Sequence, residues 1–282
     1  MTSLTGRVAV ITGAGSGIGA ALAAELGRQG CKLVLADISQ AYLDSQLTKL
    51  REDGAEATAV VTDVADAQSV ESLADAAVSH FSAVDIVCNN AGVLATGPML
   101  NTPREMWNKV MDVNFWGVVN GIRAFASRLI EQGRGGYILN SASLAGLQGV
   151  GELGVYSASK CAVVGLSEAL YQELKPFGIE VGVLCPMVVR THLAEHAGNS
   201  SGERASDVID HAPRLKRSSI KTPEFVAAQA VKGILAGRFY IFTHSEGREI
   251  LRERAERFER ACDWLDESAA EEQAASIQTE TL

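Results

Sequence analysis

Tyr156 and Lys160 stand four residues apart in "YSASK", separated only by small residues, at the head of the apolar stretch "CAVVGLSEAL". On a helix that spacing stacks both side chains on one face, one turn apart. A free phenol has a pKa of about 10 and is a poor base at neutral pH. An ammonium one turn away favours the phenolate, since an opposite charge at that range lowers a pKa by roughly 1–3 units. A phenol so poised can pass a proton to or from an alcohol oxygen. The same pair also occurs on ordinary helix surfaces, so its meaning depends on what the rest of the chain builds around it.

A second constellation is "TGAGSGIG" at 12–19, which follows an apolar run and opens a helical pattern. Gly13, Gly17 and Gly19, with Ser16 and Ile18 inside the same turn, let the backbone bend tightly and approach a pyrophosphate. The helix N-terminus adds N–H donors and a positive dipole. Eighteen residues past Gly19 the run "KLVLAD" ends in Asp37, where a carboxylate can accept both ribose hydroxyls of an adenosine half. Taken singly, the glycines read as a tight strand-to-helix packing and Asp37 as a strand-end turn residue. Together they point to a bound dinucleotide.

The elements that must carry these residues alternate along the chain. Short Val/Ile/Leu-rich runs fall at 7–13, 32–37, 57–63, 85–90, 135–143, 179–186 and 238–243, and helical periodicity at 17–29, 39–53, 66–81, 103–132 and 155–176. Continuous apolar strands separated by helices predict a doubly wound α/β fold, a parallel seven-stranded sheet in a single domain over 1–245. The polar stretch 191–222 is long enough to be a substrate loop or lid. Residues 246–265 repeat apolar side chains at helical spacing, and the acidic, Ala/Gln/Ser-rich stretch 266–282 is expected to be disordered.

Composition sets the outer limits. The chain has 282 residues, 47% hydrophobic and 21% charged, as in ordinary soluble domains, and its apolar runs are strand-sized. Five cysteines at 31, 88, 161, 185 and 262 form no Cys-x-x-Cys pair, which suggests neither a zinc site nor a disulfide framework and fits a cytoplasmic location. The net charge of −9 argues against a nucleic-acid partner, and the six acids after residue 260 leave a nearly neutral body. "HLAEH" at 192–196 has a metal-like His-x-x-Glu-His spacing, but it starts a polar loop and lacks a third ligand, so no metal is expected.

The spacing Thr-Gly-x-x-x-Gly-x-Gly at 12–19, with "NNAG" at 89–92 and "YSASK" at 156–160, resembles the short-chain dehydrogenase/reductase family from residue 7 to about 243. The resemblance implies a Rossmann-type domain that moves hydride between an alcohol or ketone and NAD or NADP. It makes Tyr156 the general acid/base and has Lys160 also hold the ribose hydroxyls beside the nicotinamide. Ser143, thirteen residues before Tyr156, would hydrogen-bond the substrate oxygen, with Ser141 as competitor. Asn114 in "MDVNFWG" would hold a water in the proton relay behind the lysine. Asp63 and Val64 would flank the adenine, and Asn89, Ala91 and Gly92 would border the cofactor. Pro186, Val189 and Thr191 belong to the segment after the sixth strand, Thr191 gripping the carboxamide. Met187 departs from the family pattern, where glycine is common.

Asp37, with no base at Ser16 or Ile38, favours NAD over NADP. The segments bordering the site carry Leu94, Met99, Leu144, Leu147, Val150, Leu153, Met187 and Leu193, which suits a lipophilic, uncharged secondary alcohol or ketone. "RGGYILNSASLAGL" and "RFYIFTH" are also similar to stretches of aryl-alcohol dehydrogenases that oxidise lignin-derived benzylic alcohols. A biosynthetic carbonyl or ketoacyl reductase stays open as an alternative. So does a non-catalytic nicotinamide-sensing module, although such modules typically lose the tyrosine or lysine kept here. Family resemblance also implies a homodimer or homotetramer, commonly through 103–132 and 155–176.

Overall fold

A computed structural model describes residues 3–191, 193, 198–199 and 219–280. It divides into two compact units, Met1–His244 and Ser245–Leu282. The first unit is a parallel sheet whose strands are β1 (Val8–Thr12), β2 (Lys32–Asp37), β3 (Ala57–Val61), β4 (Ile86–Asn89), β6 (Gly136–Ser141), β7 (Ile179–Cys185) and β9 (Tyr240–Phe242). Their spatial order is β3-β2-β1-β4-β6-β7-β9. All seven lie inside the runs expected from sequence. β1 is buried along its whole length because it has neighbours on both edges and helices on both faces, hence its unbroken "VAVIT".

Helices α1 (Gly17–Arg28) and α2 (Gln40–Glu52) pack one face of the sheet together with α7 (Pro223–Leu235), through Leu22, Leu26, Leu43, Val226 and Ile234. The other face is covered by α3 (Ala67–Phe81), α5 (Gly117–Gln132) and α6 (Gly154–Leu174), through Leu73, Phe125, Leu129, Leu170 and Leu174. Strand order reverses between β1 and β4, so a crevice opens beyond their carboxyl ends, the place where such sheets hold ligands. Both the glycine turn and "NNAG" start there.

Three features differ from the sequence expectation. The segment 103–132 is helical but not uniform: α4 (Arg104–Met111) passes into α5 through a wider π turn at Asp112–Trp116, and Asn114 sits in that turn. A π turn rotates the residues after it relative to the α ladder, a recurrent device at functional sites. Second, α7 was not anticipated. It is capped by Thr222, whose Oγ1 accepts from Phe225 N (3.3 Å), and started by Pro223, and it supplies the crossover from β7 to β9.

Third, the second unit is one helix, α8 (Gly247–Glu280), running through the stretch expected to be disordered. Ala, Glu and Gln are good helix formers, and this propensity outweighs the low hydrophobicity that suggested disorder. Of the polar loop 191–222, residues 192, 194–197 and 200–218 lie outside the described residues, and with them the expected lid and the His192–His196 spacing. Within it, β8 (Gly198–Asn199) pairs with β5 (Ala95–Thr96), and Val189 bridges to Lys221. No described helix is long and apolar enough to cross a membrane.

Candidate active site

The glycine turn is held by its own lack of side chains. Gly13 adopts φ +65°, and a Cβ there would lie 2.9 Å from Ala91 Cα. A Cβ at Gly19 would lie 2.0 Å from the Gly13 carbonyl oxygen, so the first turn of α1 packs backbone on backbone. Gly17 takes φ +53° and faces the Thr191 methyl, which brings the segment after β7 against the turn. Ser16 ends extended, no described side chain caps α1, and its first turn holds no acid. The N–H groups around Gly17, Ile18 and Gly19 therefore present a positive, uncapped helix end to the crevice.

Asp37 closes the far side. Its Oδ2 accepts from Gly15 N (2.9 Å) and its Oδ1 from Ser39 N (3.0 Å), so the carboxylate is fixed beside the turn. A Cβ on Gly15 would meet Asp37 Oδ2 at 2.8 Å, which explains a glycine that sequence reading passed over. Asp63 is exposed at the end of the β3 run, its Oδ1 accepting from Ala65 N (2.9 Å). Val64 is buried against Gly117, where a Cβ would approach it to 2.8 Å, and its carbonyl accepts from Asn120 Nδ2 (2.9 Å).

The two asparagines of "NNAG" part company. Asn89 turns into the sheet–helix interface, donating from Nδ2 to Asn140 Oδ1 (2.9 Å), and a Cβ on Gly121 would lie 2.0 Å from its Oδ1. Its side chain is therefore a core group and does not face the turn. Asn90 faces it instead: its N donates to Thr12 Oγ1 (2.9 Å) and its Nδ2 to the Thr12 carbonyl (3.0 Å). Ala91 N also donates to Thr12 Oγ1 (3.1 Å), tying the two strand ends together. Thr12 and Asn90 are thus structural keys that the sequence reading missed, although both stand inside its motifs.

Catalytic candidates converge one strand further on. Ser143, buried just beyond β6, donates to the Pro186 carbonyl (3.3 Å) and lies close enough to the Tyr156 phenol to pull on its proton. Ser141 donates to Asn90 Oδ1 (3.3 Å), so it serves the nucleotide side and not the phenol. Lys160 is buried and donates from Nζ to the Ser141 carbonyl (2.7 Å), with Nζ 5.7 Å from the Tyr156 ring centroid. Gly92 sits over this group, a Cβ there meeting Asn114 Oδ1 at 3.2 Å and Lys160 Nζ at 3.5 Å. Asn114 is fully buried: its Oδ1 accepts from Val93 N (2.8 Å), and its Nδ2 donates to Val93 O (3.0 Å) and Ser159 Oγ (3.0 Å). Ser159 in turn donates to the Tyr156 carbonyl (2.7 Å), a link that spacing alone did not show.

The electrostatics correct one expectation. Burial pushes the Tyr156 phenol up to about 12, against the pull of Ser143, where the sequence predicted a phenol lowered by Lys160. Burial also brings Lys160 down to about 8. The ammonium spends its short contact on Ser141 O, so desolvation outweighs attraction at both groups.

The segment after β7 is pinned by His244, whose Nδ1 meets Met187 N (3.3 Å) and whose Nε2 meets Val188 O (3.2 Å). Leu94, Leu153, Val150 and Leu193 cluster around Tyr156 as one apolar wall. Leu147 packs elsewhere, against Val118, Ala142 and Val163, and Met99 lies over Gly154, half exposed.

The family model for short chain dehydrogenases matches residues 7–201. The chain is 35% identical over 250 residues to a 1-deoxy-11-beta-hydroxypentalenate dehydrogenase of Streptomyces exfoliatus, covering 88% of this chain and 86% of that one. A crystal structure of a short chain dehydrogenase/reductase from Burkholderia phymatum in complex with NAD matches with TM-score 0.86 and 37% identity, covering 93% of this chain and 97% of that one. The apo form of LigD from Sphingobium sp. strain SYK-6 matches with TM-score 0.78 and 30% identity, over 91% and 97% of the two chains. Sequence, fold and the meeting of Ser143, Tyr156 and Lys160 beside an uncapped glycine turn agree, and the chain belongs to the short-chain dehydrogenase/reductase family of oxidoreductases.

Proposed function

We propose that the protein is a cytoplasmic NAD-dependent dehydrogenase that interconverts a lipophilic secondary alcohol and its ketone. The observation that carries this reading is the Tyr156 phenol, set beside Ser143 and walled by Leu94, Val150, Leu153 and Leu193. The crevice suits a dinucleotide: the glycine turn leaves room that a Cβ at 13, 15 or 19 would fill, and the helix end beside it suits a pyrophosphate. Ser16, Gly17, Ile18 and Gly19 would take the phosphates, and Asp37 the adenosine ribose. Val64, Ala91 and Gly92 would line the base and nicotinamide sides, with Pro186, Val189 and Thr191 closing over the carboxamide. The Burkholderia phymatum relative was solved with NAD. The bound nicotinamide supplies the hydride acceptor or donor.

The chain's own residues handle the proton. Tyr156, held protonated by burial, donates to the oxygen of a carbonyl and becomes the phenolate, and it is this phenolate that takes the proton of an alcohol on the return path. Ser143 holds that oxygen in line with the phenol. Lys160 keeps a positive charge behind the tyrosine, and Asn114 fixes the backbone at Val93 and the base of α6 through Ser159. The apolar wall excludes water from the proton path. The 1-deoxy-11-beta-hydroxypentalenate dehydrogenase of Streptomyces exfoliatus is a relative named for a hydroxyl-bearing substrate. Exposed Trp116 at the head of α5, with Tyr240 and Phe242 on the edge strand, supports a homodimer or homotetramer.

Incubation with NAD and a polarity-graded panel of secondary alcohols, followed at the absorbance band of the reduced nicotinamide, tests the reading. Alicyclic and aryl carbinols are expected to exceed polyols and hydroxy acids by at least tenfold in kcat/KM. A preference for polyols or hydroxy acids overturns the substrate class, and no turnover of any alcohol or ketone overturns catalysis.

A further inference from the structure

The second unit carries a seam that the proposed oxidoreductase chemistry does not use. Along α8, Leu251, Ala255, Phe258, Cys262 and Leu265 recur at intervals of four, three, four and three, the a/d spacing of a coiled coil. Phe258 is 59% exposed and Leu265 62%, and Ala255 and Cys262 are exposed beside them. Large apolar side chains in this pattern on an exposed helix call for a facing helix. Charge along the same helix is divided. Residues 248–260 hold five arginines and four glutamates, whereas 261–280 hold six acids (Asp263, Asp266, Glu267, Glu271, Glu272, Glu280) and no base.

We infer that α8 pairs antiparallel with α8 of a second copy of this chain. A parallel pair would lay each acidic half on the other, repelling along its length, and would set Phe258 on Phe258 and Ala255 on Ala255. An antiparallel pair lays the arginine-bearing half on the acidic half. It also joins a large apolar residue to a small one in every core layer, and of the registers that do so the one that lays most of the acidic half on the arginine-bearing half sets Ala255 against Leu265 of the other copy and Phe258 against Cys262. The two-fold axis repeats both layers, as an isologous interface requires. In that register the flanking Arg252 and Asp266 of opposite copies come together, twice per pair. Glu259 meets its own counterpart near the axis, the one like-charge contact of the seam, which limits its strength.

Cysteine cross-linking of the full-length chain decides the matter, in a background where the exposed Cys161 and Cys262 are replaced by serine. Glu259→Cys is expected to form an intermolecular disulfide under mild oxidation. Arg252→Cys alone is not, but mixed with Asp266→Cys it is expected to give the mixed dimer. Adding Phe258→Glu to the Glu259→Cys chain should lower the cross-linked yield at least tenfold. Because these residues are exposed, none of the changes disturbs a core. Absence of the Glu259→Cys dimer, an Arg252→Cys homodimer formed as readily as the mixed one, or a yield indifferent to Phe258→Glu each overturns the pairing.

Discussion

The two halves of the crevice are built on opposite terms. On the β1–β4 side the shape is made by side chains that are missing. Gly13, Gly15 and Gly19 stand where a Cβ would strike Ala91, Asp37 or the Gly13 carbonyl, and the polar contacts run mainly to backbone N–H groups. On the β6–α6 side it is made by side chains that burial has forced into unusual states, with Tyr156 held up at about 12 and Lys160 held down at about 8. One half is a rigid mould for a ligand. The other is a reservoir of protonation free energy, and perturbations should separate the two.

The strongest separation comes from Tyr156→Phe. It removes the proton-carrying oxygen and leaves the mould untouched, so kcat should fall by at least about 10²-fold while NAD affinity stays within a factor of a few. Stopped-flow or steady-state turnover with calorimetric NAD binding checks both parts. Residual turnover above a tenth of wild type would place the proton transfer elsewhere. The converse probe is Gly19→Ala. Its methyl would lie 2.0 Å from the Gly13 oxygen, backbone against backbone, so the turn must open. Overpacking of this kind costs typically about 1–3 kcal/mol, and here it falls on the phosphate-binding turn. NAD affinity should weaken more than tenfold, with the Tyr156 environment unchanged. Unaltered NAD binding would show that the turn does not touch the cofactor.

A third probe reads the reservoir without substrate. Unfolded, Lys160 titrates near 10.5, and folded near 8, so between those values the unfolded chain binds more protons. Its contribution to stability therefore rises with pH through that window. Below pH 8 the buried ammonium is charged in both states and its desolvation cost is felt in full. Tyr156 works in the opposite sense, but only above about pH 10, where the unfolded phenol starts to lose its proton first. Comparing urea midpoints of wild type and Lys160→Met at pH 7.5 and 9.5 isolates the lysine. Wild type should gain on the variant by about 1–2 kcal/mol across that interval. Parallel stabilities at the two pH values would mean that Lys160 is not desolvated.

The same division governs what could be read from the sequence. Strands, helices and the glycine turn were legible, because unbroken apolar runs and glycine spacing are local consequences of a buried parallel sheet and a backbone collision. The aim of side chains was not. Asn89 and Asn90 are identical and adjacent, yet strand alternation sends one to Asn140 in the core and the other to Thr12 in the crevice. A period-2 argument applied to β4 could have separated them. The raised phenol was illegible for a different reason: the spacing of Tyr156 and Lys160 fixes their proximity but not how much water surrounds them. The helix at 266–280 leaves no mark in hydrophobicity, which is low there; only the helix propensity of an Ala/Glu/Gln-rich stretch announces it. His244 had no signal in spacing at all, since its partners Met187 and Val188 reach it only through the β7–β9 pairing.

The smallest expected effect tests the mould at its rim. Asp37 is held by Gly15 N and Ser39 N at the end of β2, and no base stands beside it at Ser16 or Ile38. A 2′-phosphate on the adenosine ribose would bring negative charge against this fixed carboxylate. At an effective dielectric near 20, unit charges about 4 Å apart repel by about 4 kcal/mol. Partial exposure and salt reduce that to about 2 kcal/mol, which is still more than tenfold in affinity. The kcat/KM with NAD should thus exceed that with NADP by at least tenfold at physiological salt, and the ratio should shrink as salt rises. Asp37→Asn keeps the two acceptor contacts in part but removes the charge, so it should bring the ratio to within about threefold of unity. Because the effect lies in the mould, the pH dependence of turnover should be the same for Asp37→Asn and wild type. An NADP preference in wild type would show that the ribose lies away from Asp37, and a displaced pH profile in the variant would show that the two halves are coupled.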